Sequence, residues 1–198
     1  MTKIGEYEIG ELIYSDKFFE MRLANHIPSG KEVMCKVIER KLLHDADAER
    51  RLKREIIVLS KLHHENIDRL IAFHKSKKHF FLFFEYSQTV PLMNLLNNGP
   101  LSELSARRYF QQLINVVDYI HSQNISHRDI KPDIIFITES NNIKITGFSI
   151  SIIVTNSNTL LETVCGTPAY SLPEIFLKKP YNGFDADIWG SVVTLYYM

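Results

Sequence analysis

The sequence predicts an α+β fold in two parts: a β-rich first part that carries one helix, then a mainly helical second part. Three observations predict it. Short β-branched or aromatic runs dominate residues 1–86, interrupted by a single helical stretch. The clearest amphipathic pattern, Ser102–Gln123, lies beyond that point. Strand-like runs then return only briefly before a final helix near Asp187.

Taken in order, Tyr7–Ile13 alternates loosely and reads as a strand. Met21–Ala24 and Lys31–Ile38 read as two more, joined by the turn residues Ile27-Pro28-Ser29-Gly30. Over Asp47–Leu62 the apolar residues Leu52, Ile56 and Leu59 recur at helical spacing. A turn at Lys75–His79 precedes a dense aromatic strand at Phe80–Tyr86. Pro91 and the Asn97-Asn98-Gly99-Pro100 cluster flank a short helix. In Ser102–Gln123, Ser102 is the N-cap, and Ala106, Phe110, Leu113, Val117 and Ile120 form one stripe. A strand pair follows at Ile134–Ile137 and Ile143–Thr146, then a loop rich in Ser, Thr and Asn.

The 198 residues suit one domain or two small lobes, and 45% hydrophobic content supports a packed core. Lys+Arg and Asp+Glu number 23 each, so charge points to neither nucleic acid nor an anionic membrane. Arg50, Arg51, Lys53 and Arg54 read as a solvated helix face. Cys35 and Cys165 are too few for a disulfide framework or a zinc pattern. The N-terminal residues lack a signal-peptide core, and no apolar run approaches a membrane span. A soluble, cytoplasmic setting is the expectation.

One stretch organises the rest. His127-Arg128-Asp129-Ile130-Lys131-Pro132 lies between the long helix and the strand pair, and it resembles the catalytic loop of protein kinases. Two further strings strengthen the resemblance: Leu101-Ser102-Glu103 with Ala106–Gln112, and Thr163-Val164-Cys165-Gly166-Thr167-Pro168. The resemblance runs from Tyr7 to Met198. It is closest to Ser/Thr kinases of the calcium/calmodulin-dependent group, especially the AMP-activated kinase branch. It implies a two-lobed fold, with residues 1–86 as the N-lobe and 87–198 as a partial C-lobe ending in its central helix. Because Met198 falls inside that helix, apolar faces of the Ser102–Gln123 and Asp187–Met198 helices are expected to be exposed.

The resemblance also assigns roles. Lys36 matches the phosphate-contacting lysine and Glu55 its ion-pair partner. Asp129 matches the catalytic base and Lys131 the phosphate-contacting lysine of Ser/Thr kinases. Thr163 matches the activation-loop phosphosite, and Arg128 the arginine that would pair with its phosphate. Leu59, Leu70, Phe148 and His127 match the regulatory spine, with Asp187 anchoring His127.

Other positions depart from the family. The Gly-rich loop places Tyr14, Asp16 and Phe19 at its three glycine positions, and Asp16 sets a negative charge where phosphate would lie. The Asn that holds magnesium is Ile134, and the metal-binding Asp before Phe148 is Gly147. Magnesium needs hard oxygen donors, and neither side chain supplies one. The adenine positions are enlarged to Met34, Met21 and Phe136, with Phe84 as gatekeeper, and the ribose-contacting acid becomes Pro91. Overpacking of that kind costs about 1–3 kcal/mol per group.

The resemblance therefore implies a Ser/Thr kinase-like domain that acts as a pseudokinase: a binding or regulatory scaffold without cofactors, whose partner is a protein such as another kinase. Two alternatives stand beside it. One is an active Ser/Thr kinase that uses ATP and magnesium through unconventional metal binding. The other is a non-functional fragment.

Overall fold

A computed structural model describes residues 2–43 and 46–198. The chain divides into two units. One comprises the residues up to Ile56 together with Asp68–Ser87; the other comprises Ile57–Ile67 together with Gln88–Met198.

The first unit is built on six antiparallel strands: β1 (Thr2–Ile4), β2 (Tyr7–Ser15), β3 (Glu20–His26), β4 (Lys31–Glu39), β5 (Leu70–Lys75) and β6 (His79–Glu85). Their order across the sheet is β1-β2-β3-β4-β6-β5. Side chains of a strand alternate between faces. On one face Tyr7, Ile9, Ala24, Val33, Cys35, Phe81 and Phe83 form the core, with the Tyr7 and Phe83 rings stacked at 3.9 Å. Burial in this cluster pushes the Cys35 thiol up to about 12, so it behaves as a small apolar residue. The other face carries the even-numbered residues of β4. Helix α1 (Ala46–Lys61) starts in this unit, and its buried side chains Leu52, Glu55, Val58 and Leu59 recur at helical spacing.

Strand β5 is absent from the sequence reading. Its residues alternate, but Ile71 and Phe73 are the exposed ones, so the apolar pattern points away from the core. As a sheet edge it is held by pairing with β6, which no local pattern reveals.

The second unit contains β7 (Thr89–Pro91), α2 (Leu92–Leu96), α3 (Glu103–Ser122), β8 (Ile125–Ser126), β9 (Ile135–Thr138), β10 (Ile143–Ile145), β11 (Ile152–Ile153), β12 (Leu160–Leu161), α4 (Pro173–Phe176), β13 (Tyr181–Asn182) and α5 (Gly183–Tyr197). Ser102 caps α3, its side chain accepting from the N–H of Ser105. The apolar face of α3 is not exposed as expected. Leu113, Val116, Val117 and Ile120 are buried, and α3 packs against α5. On α5, Ile188, Trp189, Val192, Tyr196 and Tyr197 are exposed.

Helix α5 begins at Gly183, earlier than the expected start near Asp187, because the Asn182 side chain caps it by accepting from the N–H of Phe184. Gly183 lies so close to β8 that an added Cβ would sit 2.8 Å from Ser126 Oγ, and that hydroxyl donates to the Gly183 carbonyl at 2.8 Å. This junction fixes the helix beside the loop that follows β8. No helix among the described residues is long and apolar enough to cross a membrane.

Candidate functional site

In the first unit the register of β3, β4 and β6 sets one face of the sheet. Met21 pairs with Lys36, and Met34 pairs with Leu23 and Phe84. Directly paired and alternate residues share a face. Lys36, Met21, Met34 and Phe84 therefore stand together, and Phe84 is buried. Lys36 Nζ donates to Glu55 Oε1 at 2.9 Å, joining β4 to α1. The same ammonium lies 5.0 Å from the centroid of the Phe19 ring. Phe19 closes a tight turn with Asp16, whose Oδ1 accepts from the N–H groups of Phe18 and Phe19 at 2.7 and 2.9 Å.

In the second unit the loop from His127 is suspended from Asp187. The buried Asp187 carboxylate accepts from the backbone N–H of His127 at 2.9 Å and of Arg128 at 2.6 Å. These bonds hold Arg128 at a positive φ of 67°, a conformation that is costly for a residue with a side chain. His121 Nε2 reaches the same carboxylate at 2.9 Å. The fully buried His127 ring uses both nitrogens: Nε2 donates to the Thr146 carbonyl at 2.8 Å, and Nδ1 accepts from the Asp129 N–H at 3.3 Å. Only the neutral imidazole satisfies both bonds. Burial lowers its pKa accordingly, against the opposing pull of Asp187. Its ring meets Phe148 edge-on at 4.7 Å. Leu59 is buried in this unit, and Leu70 is half-buried in the first.

Asp129 and Lys131 meet at Thr167. Asp129 Oδ1 accepts from the Thr167 N–H at 2.8 Å, and Lys131 Nζ donates to Thr167 Oγ1 at 2.6 Å. Lys131 Nζ also lies 3.2 Å from Asp129 Oδ2. In the sequence Thr167 stands out only as part of a family string. Its role here follows from Gly166, where an added Cβ would lie 2.8 Å from the Arg128 carbonyl, so the two loops run in direct contact.

Arg128 donates from Nε to the Ile150 carbonyl at 2.8 Å, and Nη2 donates to the same oxygen. Its Nη1 is buried with no hydrogen-bond partner among the described residues. Thr163 is exposed, and its carbonyl accepts from the Tyr181 hydroxyl at 2.9 Å. Burial pushes Tyr181 up to about 12; the Cys165 thiol adds to this and Arg128 opposes it.

The two positions at which the family holds magnesium lie against each other. Gly147 has φ +82°, and an ideal Cβ there would lie 2.9 Å from Ile134 Cγ2 and 3.4 Å from Ile134 Cβ. Ile134 is itself buried, and its carbonyl accepts from the Thr146 N–H at 3.0 Å. Apolar packing thus occupies the place of two oxygen donors, and these residues do not fit a hard cation. Among the described residues, no group of three or more His, Cys, Asp or Glu side chains is placed to hold a metal ion. Phe136 is half-buried on β9 and pairs with Pro91.

Comparison with known proteins gives the same architecture a family. Residues 7–198 match the protein kinase domain model. Over 195 residues the chain is 37% identical to the carbon catabolite-derepressing protein kinase of Saccharomyces cerevisiae, covering 98% of this chain and 31% of that protein. It is 36% identical over 197 residues to CBL-interacting serine/threonine-protein kinase 8 of Arabidopsis thaliana, covering 99% and 44%. CBL-interacting protein kinase 11 of Oryza sativa is 36% identical over 196 residues, covering 98% and 39%. The chain spans less than half the length of these relatives.

Proposed function

The chain belongs to the protein kinase domain family, as a Ser/Thr kinase-like member, and from that premise we propose that it is a pseudokinase, acting by binding another protein and not by transferring phosphate. One observation carries this reading: the Ile134 side chain fills the space beside Gly147 in which a metal-binding carboxylate would stand. Phosphoryl transfer rests on positioning and on neutralising charge with metal ions. A site with a packed isoleucine at one donor position and a glycine at the other has lost the means for the second. The enlarged residues Met21, Met34 and Phe84 on the Lys36 face agree with a chain that uses neither ATP nor magnesium.

What is kept suits a scaffold. Asp187 holds the His127 loop, and the Lys36–Glu55 pair ties α1 to the sheet. Two of the relatives are named for an interaction with CBL. For this chain the proposed partner is likewise a protein, with another kinase as the proposed class.

The competing reading is an active Ser/Thr kinase, favoured by the arrangement of Asp129 and Lys131 about Thr167. Thermal unfolding with millimolar ATP, with and without magnesium, separates the two. No shift in either condition is expected. Magnesium-dependent phosphate transfer that disappears in Asp129→Asn would sink the pseudokinase reading.

A further inference from the structure

We propose that the tip of the β2–β3 hairpin is a built-in plug, in which the chain's own Asp16 carboxylate and Phe19 ring engage the loop amides and the lysine ammonium that a phosphate ligand would need. The inference rests on the reading that the domain works without nucleotide, and it names the residues that close the phosphate end.

The turn is four residues long, Asp16-Lys17-Phe18-Phe19, closed by the Asp16 N–H donating to the Phe19 carbonyl at 3.1 Å. A Gly-rich loop binds phosphate by turning backbone N–H groups towards it. Here the N–H groups of Phe18 and Phe19 both point to Asp16 Oδ1, so an internal anion already satisfies them. The charge of Asp16 is thus part of the turn itself as well as a source of repulsion.

The lysine is satisfied in the same way. Tyr14 pairs with Met21, and Met21 with Lys36, so the hairpin brings Phe19 over the Lys36 ammonium. Tyr14 supports the Phe19 ring at 6.0 Å between centroids. With Glu55 Oε1 at 2.9 Å and the π-face of Phe19 at 5.0 Å, the ammonium has an anion and a quadrupole as partners. Only 18% of the Lys36 side chain remains exposed, which a ligand would have to share with the ring. The link between α1 and the sheet is therefore made by the chain's own groups.

Amine acetylation read by mass spectrometry tests the plug without any nucleotide. In the unmodified chain Lys36 should acetylate far more slowly than the exposed Lys31 on the same strand. In Phe19→Ala the Lys36 rate should rise about fivefold, the ratio corresponding to a partly desolvated cation–π contact. Asp16→Ala, which opens the turn by another route, should raise it as well, and cooperative unfolding of each variant confirms an intact fold. Equal labelling of Lys36 and Lys31 in the unmodified chain, or a Lys36 rate unchanged in both variants, overturns the proposal. Sodium tripolyphosphate supplies a second measurement, since it carries the phosphates without a base. It should not raise the melting temperature of the unmodified chain, and a rise that disappears in Lys36→Met overturns the plug. ATP titration judges the wider reading separately.

Discussion

Gly147→Asp and Ile134→Asn, made singly and together, restore the family's metal-binding residue types and should reveal a strong coupling. In Gly147→Asp the new Cβ lies 2.9 Å from Ile134 Cγ2, closer than real Cβ contacts, and the backbone stays at φ +82°. Forcing the methyl groups apart costs about 1–3 kcal/mol. Holding a non-Gly residue in the left-handed region costs about 1–2 kcal/mol, with Asp at the lower end. The single variant should therefore lose about 2–5 kcal/mol, a fall in Tm on the order of 10 °C for a chain of this size. Ile134→Asn alone should lose about 2 kcal/mol of apolar burial. In that background the Ile134 methyl is gone, so adding Gly147→Asp should cost only the backbone strain, about 1 kcal/mol. The double variant should then be about 1–3 kcal/mol more stable than the sum of the singles, a coupling within the range measured for touching residues. Urea unfolding of the four proteins gives the cycle directly. Additivity within about 0.5 kcal/mol would refute the claim that Ile134 is what excludes a side chain at 147.

Three more expectations concern the retained framework. Asp187→Ala removes the acceptor for two backbone N–H groups in the buried His127 loop, so a loss of about 3–5 kcal/mol is expected in denaturant unfolding, with Asp187→Asn losing less. Burial keeps the folded His127 neutral, so the unfolded chain takes up the extra proton first as pH falls through about 6.5. Stability should decline below that pH, and the part due to His127, which has Asp187, Asp129 and Lys131 around it, should vanish from the pH profile of His127→Phe. Phosphorylation of Thr163 should give the buried Arg128 Nη1, which has no hydrogen-bond partner among the described residues, an anion. The expected signs are slower hydrogen exchange between Phe148 and Thr167 and a gain of about 1–3 kcal/mol that shrinks with salt. Neither sign should appear in Arg128→Met.

Much was legible in the sequence because it depends only on residue type and local period. The apolar stripe and Ser102 cap of α3 specify that helix wherever it packs, and the short β-rich runs before Ser87 specify the sheet. The chemical identity of Ile134 and Gly147 alone says that no side-chain oxygen donor stands at those positions. What tertiary structure decided is what those residues do to one another. Ile134 and Gly147 meet because β9 and β10 pair and bring the two loops into contact, which no local pattern encodes. Phe19 faces Lys36 only through the register of three strands. The edge strand β5 likewise depends on its neighbour β6, whereas the early start of α5 rests on the adjacent Asn182 cap, a local signal. Side-chain chemistry and periodicity are local and survive in a linear text. Close packing and register are relations between distant residues, and only the folded chain sets them.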